Sequence, residues 1–260
     1  MRAPCVVILG LGRGVGLASA RRFAESGWSV MIVDKDRKQL ARGQDDLGEL
    51  AQFLHEDQAT KLGLKNALSG TLEQFDGVDV VLQIPPVPEP TSLLDIKVED
   101  IESGLAVSAR SAVMAGQVFG SEMVREIREH ELATERPPYP KSFIYLLGRS
   151  ALSAEAGSPA QTVMHGAVHS VMKTLAVELA PWSIRSNAVV ATRGSSTEKE
   201  DWLKKRTPLG RSARAQEIAD AAFFLASPQA SYINGHTLVL DGGRSALTGM
   251  MKDRDPSALL

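Results

Sequence analysis

Two rhythms of apolar residues run along this chain. Short runs rich in β-branched residues predict strands at Cys5 to Leu9, Ser29 to Val33, Gln52 to His55, Val78 to Ile84, Ser142 to Leu147, Ile184 to Ala191 and Thr237 to Leu240. Between most of them, apolar residues return every three or four positions, the period of an amphipathic helix. Strands that alternate with helices pair in parallel and need helices on both faces of the sheet, so the pattern predicts an α/β fold. No repeat of roughly 20 to 50 residues and no low-complexity linker interrupts it, and residues 1–260 read as a single domain.

Two proline-rich segments break the rhythm, IPPVPEP at 84 to 90 and HELATERPPYPKS at 130 to 142, and both predict loops. The stretch QTVMHGAVHSVMKTLAVEL at 161 to 179 predicts a helix with two stripes. Met164, Val168, Val171, Met172, Leu175 and Leu179 are apolar, while Gln161, His165, His169 and Lys173 follow at every fourth residue on an adjoining polar row. Whether that row carries chemistry depends on what the rest of the chain brings to it.

Composition narrows the setting. A hydrophobic content of 43% over 260 residues suffices for one large core. With 29 basic and 31 acidic residues, the formal charge of -2 gives no electrostatic reason to expect nucleic acid or an anionic membrane as a partner. Cys5 is the sole cysteine, which excludes an intrachain disulfide and fits a reducing compartment. The opening MRAPCVVILGLG is too soon broken by glycine for a signal peptide, and no later run approaches roughly 18 uninterrupted apolar residues. A soluble cytoplasmic protein is expected.

In an open parallel sheet, ligands bind outside the carboxyl ends of the strands, where the strand order reverses. The first strand-to-helix turn, ILGLGRGVGLASARRFA, spaces its glycines as Gly10-x-x-x-Gly14-x-Gly16, with Gly12 between. Glycines there allow a tight turn and bring a helix N-terminus up to a pyrophosphate; the same cluster also fits a tight turn alone. Asp34, 18 residues after Gly16, stands where an acidic residue accepts hydrogen bonds from an adenosine ribose. An acid there repels a 2′-phosphate and favours NAD over NADP, although the neighbouring Lys35 and Arg37 offer a phosphate two cations.

That glycine loop, FDGVDVV at 75 to 81, LAVELAPWSIRSNAV at 175 to 189 and PLGRSARAQEIADAAFFLASPQASYINGHTLVLDGG at 208 to 243 together resemble the short-chain dehydrogenase/reductase family nearly end to end. The resemblance implies a doubly wound, Rossmann-type sheet of seven parallel strands, dinucleotide binding, and a homodimer or homotetramer. It assigns the dinucleotide to the turn from Gly10 to Gly16, including Gly12, Arg13, Gly14 and Val15, and to Asp34, Asp57 and Gln83. Asp57 stands where the family places an Asp near the adenine. The prolines of Gln83-Ile84-Pro85-Pro86 replace a family Asn-Asn-Ala-Gly and offer no backbone N–H to the nicotinamide end.

Catalysis in that family uses a Tyr and a Lys four residues apart on one helix, a Ser on the strand before it and an Asn on the fourth helix. A free phenol has a pKa of about 10, so a nearby ammonium must lower it before it can exchange a proton near neutral pH. By the resemblance, Gln161 stands at the tyrosine position, His165 at the lysine, Gly148 at the serine and Ser108 at the asparagine. Gln161 has no exchangeable proton near neutral pH and Gly148 has no hydroxyl. Ser150, two residues on, could face the same side if the strand continues.

Two readings follow. In the first, the chain binds NAD(H) in preference to NADP(H), weakly if at all, and acts without the family's redox reaction as a sensor of a small molecule or as a partner subunit, for instance of an active relative. In the second, it is an active NAD(P)-dependent oxidoreductase in which His165, with an ordinary pKa of about 6.5, exchanges the proton, Gln161 orients the substrate and His169 assists. The histidines equally fit plain polar roles beside a pocket or interface. No metal is expected, because no Glu follows the first His as in H-E-x-x-H and no third ligand is evident. The segment 192 to 211 resembles the family's substrate lid, and 244 to 260 reads as an exposed or interface tail.

Overall fold

The computed structural model describes residues 2–12, 14–132, 139–154, 156–192, 203 and 205–247. Seven parallel strands form one sheet in the order β3-β2-β1-β4-β5-β6-β7. They are β1 (Cys5–Leu9), β2 (Ser29–Asp34), β3 (Gln52–His55), β4 (Val80–Gln83), β5 (Ser142–Gly148), β6 (Arg185–Ala191) and β7 (Thr237–Leu240). The helices are α1 (Val15–Ala24), α2 (Arg37–Leu47), α3 (Lys61–Phe75), α4 (Val98–Leu105), α5 (Ser111–Leu132), α6 (Pro159–Glu178) and α7 (Ala215–Ala226), with a π-helical turn, Ala106–Arg110, joining α4 to α5. None of the described helices is long and apolar enough to cross a membrane.

The strands read as apolar runs because both faces of the sheet are covered. Val7, Leu9, Val33 and Tyr145 point to one core, shared with α3, α5 and α6. Val6, Ile8, Ile32 and Ile144, one residue out of phase, point to the other, against α1, α2 and α7. Local chemistry sets the helix starts. The Asp36 carboxylate caps α2 by accepting from Lys38 N and Gln39 N, and Thr60 Oγ1 caps α3 by accepting from Gly63 N at 3.0 Å.

Strands β2, β4, β5 and β6 differ from expectation by one or two residues at an end, and two boundaries differ for a reason written in the chain. β4 ends at Gln83: Ile84 N still donates to the Leu9 carbonyl at 2.9 Å, but Pro85 and Pro86 have no N–H to extend the ladder. The expected loop at 130 to 142 begins late, because α5 runs on to Leu132; residues 133–138 lie outside the described residues, as do 193–202 of the expected lid and 248–260 of the tail. The strand order reverses between β1 and β4, and there the carboxyl ends Leu9, Asp34 and Gln83 open a crevice, with β5 running three residues further to Gly148.

Candidate functional site

The chain leaves β1 at Leu9 and enters α1 at Val15, so five residues must reverse it. Gly10 and Gly14 do so in left-handed backbone, with φ of 92° and 82°, and a Cβ on Gly10 would stand 2.7 Å from the Ile84 carbonyl oxygen. At Gly16 a side chain would run into the Leu11 carbonyl, which accepts the Gly16 N–H at 2.9 Å. No side chain caps α1, which leaves the positive end of its dipole to an anion, although the Gly16 N–H is already taken by the Leu11 carbonyl. Val15 is the half-buried first residue of α1, and Arg13 lies outside the described residues.

A groove of about 350 Å³ crosses this turn, lined by Gly10, Gly12, Asp34, Asp57 and Gln58 and walled by Ile84, Pro86 and Val107. The Asp34 carboxylate accepts Leu11 N and Asp36 N, each at 2.9 Å, which fixes it against the turn with lone pairs to spare. Asp57 accepts Ala59 N at 2.9 Å through Oδ1. Gln58, which the sequence reading passes over, brings a buried Oε1 with no protein partner to the groove. An orphaned acceptor of this kind suits a ligand donor such as a ribose hydroxyl or an exocyclic amine. Gln83 stands behind the groove's lining, 1% exposed: its Nε2 donates to Ser111 Oγ at 3.1 Å and its buried Oε1 has no partner among the described residues, while Ile84 and Pro86 line the groove.

Beyond the ends of β5 and β6 lies a second cavity of about 70 Å³, lined among others by Gly148, Arg149, Ser150, Gln161, Thr192 and Arg244. Three positions that the family resemblance singles out converge beside it. A Cβ on Gly148 would stand 2.7 Å from Gln161 Nε2 and 3.2 Å from His165 Nδ1. The missing side chain at 148 is thus what lets Gln161 and His165 close on the strand end.

His165 is 1% exposed, and its Nδ1 accepts Gly148 N at 2.8 Å. That bond assigns the proton to Nε2, which is turned toward the Pro86 carbonyl without closing a well-formed bond. Burial pushes its pKa down to about 4, only partly opposed by the Pro86 carbonyl, and the Gly148 N–H donated to Nδ1 likewise suits the neutral ring. His169 has a different environment: its Nε2 meets Thr237 Oγ1 at 2.8 Å and ties α6 to β7, with burial and then Lys173 lowering its pKa. The polar row of α6 is therefore not one catalytic face. Among the described residues, no group of three or more His, Cys, Asp or Glu is placed to hold a metal ion.

Ser108 lies apart from both cavities. It is fully buried in the π-helical turn and donates Oγ to the Gly104 carbonyl at 2.7 Å, and its neighbour Val107 reaches the groove instead. Ser150 does line the smaller cavity, 3% exposed, with an Oγ that has no protein partner. Arg149, Arg244 and Thr192 have no place in the expected site; for Arg149 the available signal was its position immediately past a strand's carboxyl end.

Residues 10–245 match the family model described as enoyl-(acyl carrier protein) reductase. The meso-2,3-butanediol dehydrogenase of Serratia marcescens is 28% identical over 261 residues, covering 95% of this chain and 96% of that one. The galactitol 2-dehydrogenase (L-tagatose-forming) of Cereibacter sphaeroides is 28% identical over 257 residues, covering 92% and 94%. Among solved structures, the 3-ketoacyl-(acyl-carrier-protein) reductase of Brucella melitensis complexed with NADH matches with a TM-score of 0.84 at 26% identity, covering 94% of this chain and 99% of that one.

Proposed function

Because the chain belongs to the short-chain dehydrogenase/reductase family of oxidoreductases, we propose that it binds a nicotinamide dinucleotide along the carboxyl edge of its sheet, with the proton-transfer end of the site rebuilt and turnover weak or absent. The first half is supported by the glycine turn, the uncapped start of α1 and the orphaned Gln58 acceptor, which fit the phosphates and the adenosine. Asp34 would take the ribose hydroxyls and repel a 2′-phosphate, so NAD(H) is the preferred partner, with Lys35 as the opposing charge in the same groove.

The second half rests on the cluster of Gly148, Gln161 and His165. When bound, the dinucleotide supplies a hydride acceptor or donor; the chain must supply a proton at the substrate oxygen. Gln161 cannot exchange one near neutral pH, Gly148 offers no hydroxyl, and His165 is neutral, buried and engaged with backbone. A role as a sensor or as a subunit beside an active relative is then the reading for the chain. Assembly as a homodimer or homotetramer belongs to the same proposal and draws support from Val113 on α5 and Val177 on α6, 44% and 76% exposed.

The relatives favour a second reading, an active oxidoreductase with an unusual proton carrier, since the proteins matched over nearly the whole chain are named as dehydrogenases and a reductase. Ser150 then stands as the hydroxyl donor, and His165 must leave its backbone partner to take part. The test is steady-state turnover with NADH and a panel of ketones and 3-ketoacyl thioesters. We expect little in the natural protein and a gain of about 10²- to 10⁴-fold in the triple variant Gly148→Ser, Gln161→Tyr, His165→Lys. Turnover of about 1 to 10³ s⁻¹ in the natural protein that collapses in His165→Ala would establish the second reading instead.

A further inference from the structure

The small cavity beside Gly148 holds charge that neither dinucleotide binding nor proton transfer uses. Arg149 and Arg244 both line it, and no acidic residue is among the described residues that do; Arg244 is engaged in an interaction of its own, so Arg149 is the cation on which the site turns. Arg149 is loosely held: its Nη1 lies 3.5 Å from both Asp241 Oδ2 and Ser245 Oγ, and its Nε donates to Ser153 Oγ at 3.2 Å. A guanidinium closed on a carboxylate makes two bonds of about 2.7 to 2.9 Å, which this one does not. Asp241 has other partners, accepting Gly243 N at 3.1 Å and Ser245 N at 2.7 Å.

Two further groups point to a missing ligand. Ser150 and Thr192 line the same cavity, and the buried hydroxyl of each has no partner among the described residues. Buried hydroxyls are ordinarily satisfied, so two orphans in the lining that also holds the loosely held Arg149 call for an acceptor. The Gln161 amide adds a further donor to the same lining. A space of about 70 Å³ has room for a compact head group.

We propose that this cavity is an oxyanion site that receives the carboxylate or phosphate of a small-molecule ligand, with Arg149 as its main partner and Arg244, Ser150 and Thr192 completing the shell. The proposal rests on the reading that this end of the crevice is where a ligand meets the dinucleotide, but the site itself needs no dinucleotide. It predicts that the molecule sensed or turned over carries a negative charge close to its reacting centre.

The test titrates the full-length protein with sodium acetate and, separately, with inorganic phosphate, ionic strength held constant with sodium chloride, reading heats and thermal stabilisation. Saturable binding of at least one anion is expected, weakened about tenfold or more by Arg149→Gln, partly restored in Arg149→Lys and unchanged by Arg125→Gln on the exposed face of α5. A response to acetate alone assigns a carboxylate ligand, and one to phosphate alone a phosphate ester. Absence of saturable binding in the natural protein, or equal binding by Arg149→Gln, overturns the proposal; Arg244→Gln gives the same two outcomes should Arg149→Gln fail to fold. NADH titration of the same samples separates the two ideas. Lost NADH binding with anion binding intact counts against the dinucleotide reading, and the reverse against this one.

Discussion

His165 is neutral where it lies, because charging the ring would forfeit its hydration with no carboxylate to replace it. Its folded pKa, about 4, is below the unfolded value of about 6.5. Its contribution to stability is therefore full above about pH 6.5 and is lost as pH falls toward 4, on the order of 3 kcal/mol in all. Denaturant unfolding at pH 7.5 and 4.5 should show a smaller acid loss in His165→Gln than in the natural protein. At pH 7, His165→Ala should destabilise by about 2 to 4 kcal/mol, since it leaves a cavity and an unpaired Gly148 N–H. Asp34→Asn should weaken NADH about tenfold and narrow its advantage over NADPH, as read by parallel titrations. Equal loss for both nucleotides would mean that Asp34 only braces the Leu11 amide.

The glycine turn and α1 work as one element, because the Leu11 carbonyl that closes the turn lies where a Gly16 side chain would go. Gly16→Ala should therefore abolish NADH binding in a titration while the far-UV spectrum keeps its α/β shape; retained affinity would remove the turn from the site. These elements were legible because fully buried parallel strands must be apolar runs and a tight turn against Ile84 must be glycine. The α6 row was misleading for a geometric reason. Each four-residue step turns about 40° further round a helix, so four members spread over about 120°. Gln161 thus reaches the cavity, His165 the strand end, His169 the β7 edge and Lys173 solvent. Ser108 lies in a π-helical turn that spacing alone does not reveal, and Gln58 sits in a turn and Arg149 at the start of a 3₁₀ turn, Arg149–Ala151, whose directions only the folded chain fixes.

Across the whole molecule, stability and site are placed at opposite edges of the sheet. At the amino edge, Asp79, which is fully buried, accepts Arg2 at 2.6 and 3.0 Å, Lys141 Nζ at 2.9 Å and Cys5 N at 2.7 Å, while Glu126 binds the same two cations. Burial pushes the Asp79 carboxyl up, but Arg2 and Lys141 outweigh it and hold its pKa below the usual range. Its stabilisation is accordingly full above the unfolded value near 4 and is lost as pH falls through the folded one. Asp79→Asn leaves the buried Lys141 and the partly exposed Arg2 to share Glu126 alone and should destabilise by about 3 to 5 kcal/mol in denaturant unfolding, with NADH affinity unchanged in whatever fraction stays folded.

A calorimetric titration of the purified protein with NADH, repeated with NADPH, tests the central claim most directly. The account predicts saturable heat at one site per chain for NADH, weaker heat for NADPH, and a matching rise in melting temperature. No heat at high nucleotide concentration, with no thermal stabilisation, would contradict it and leave a family fold that no longer holds the family's cofactor.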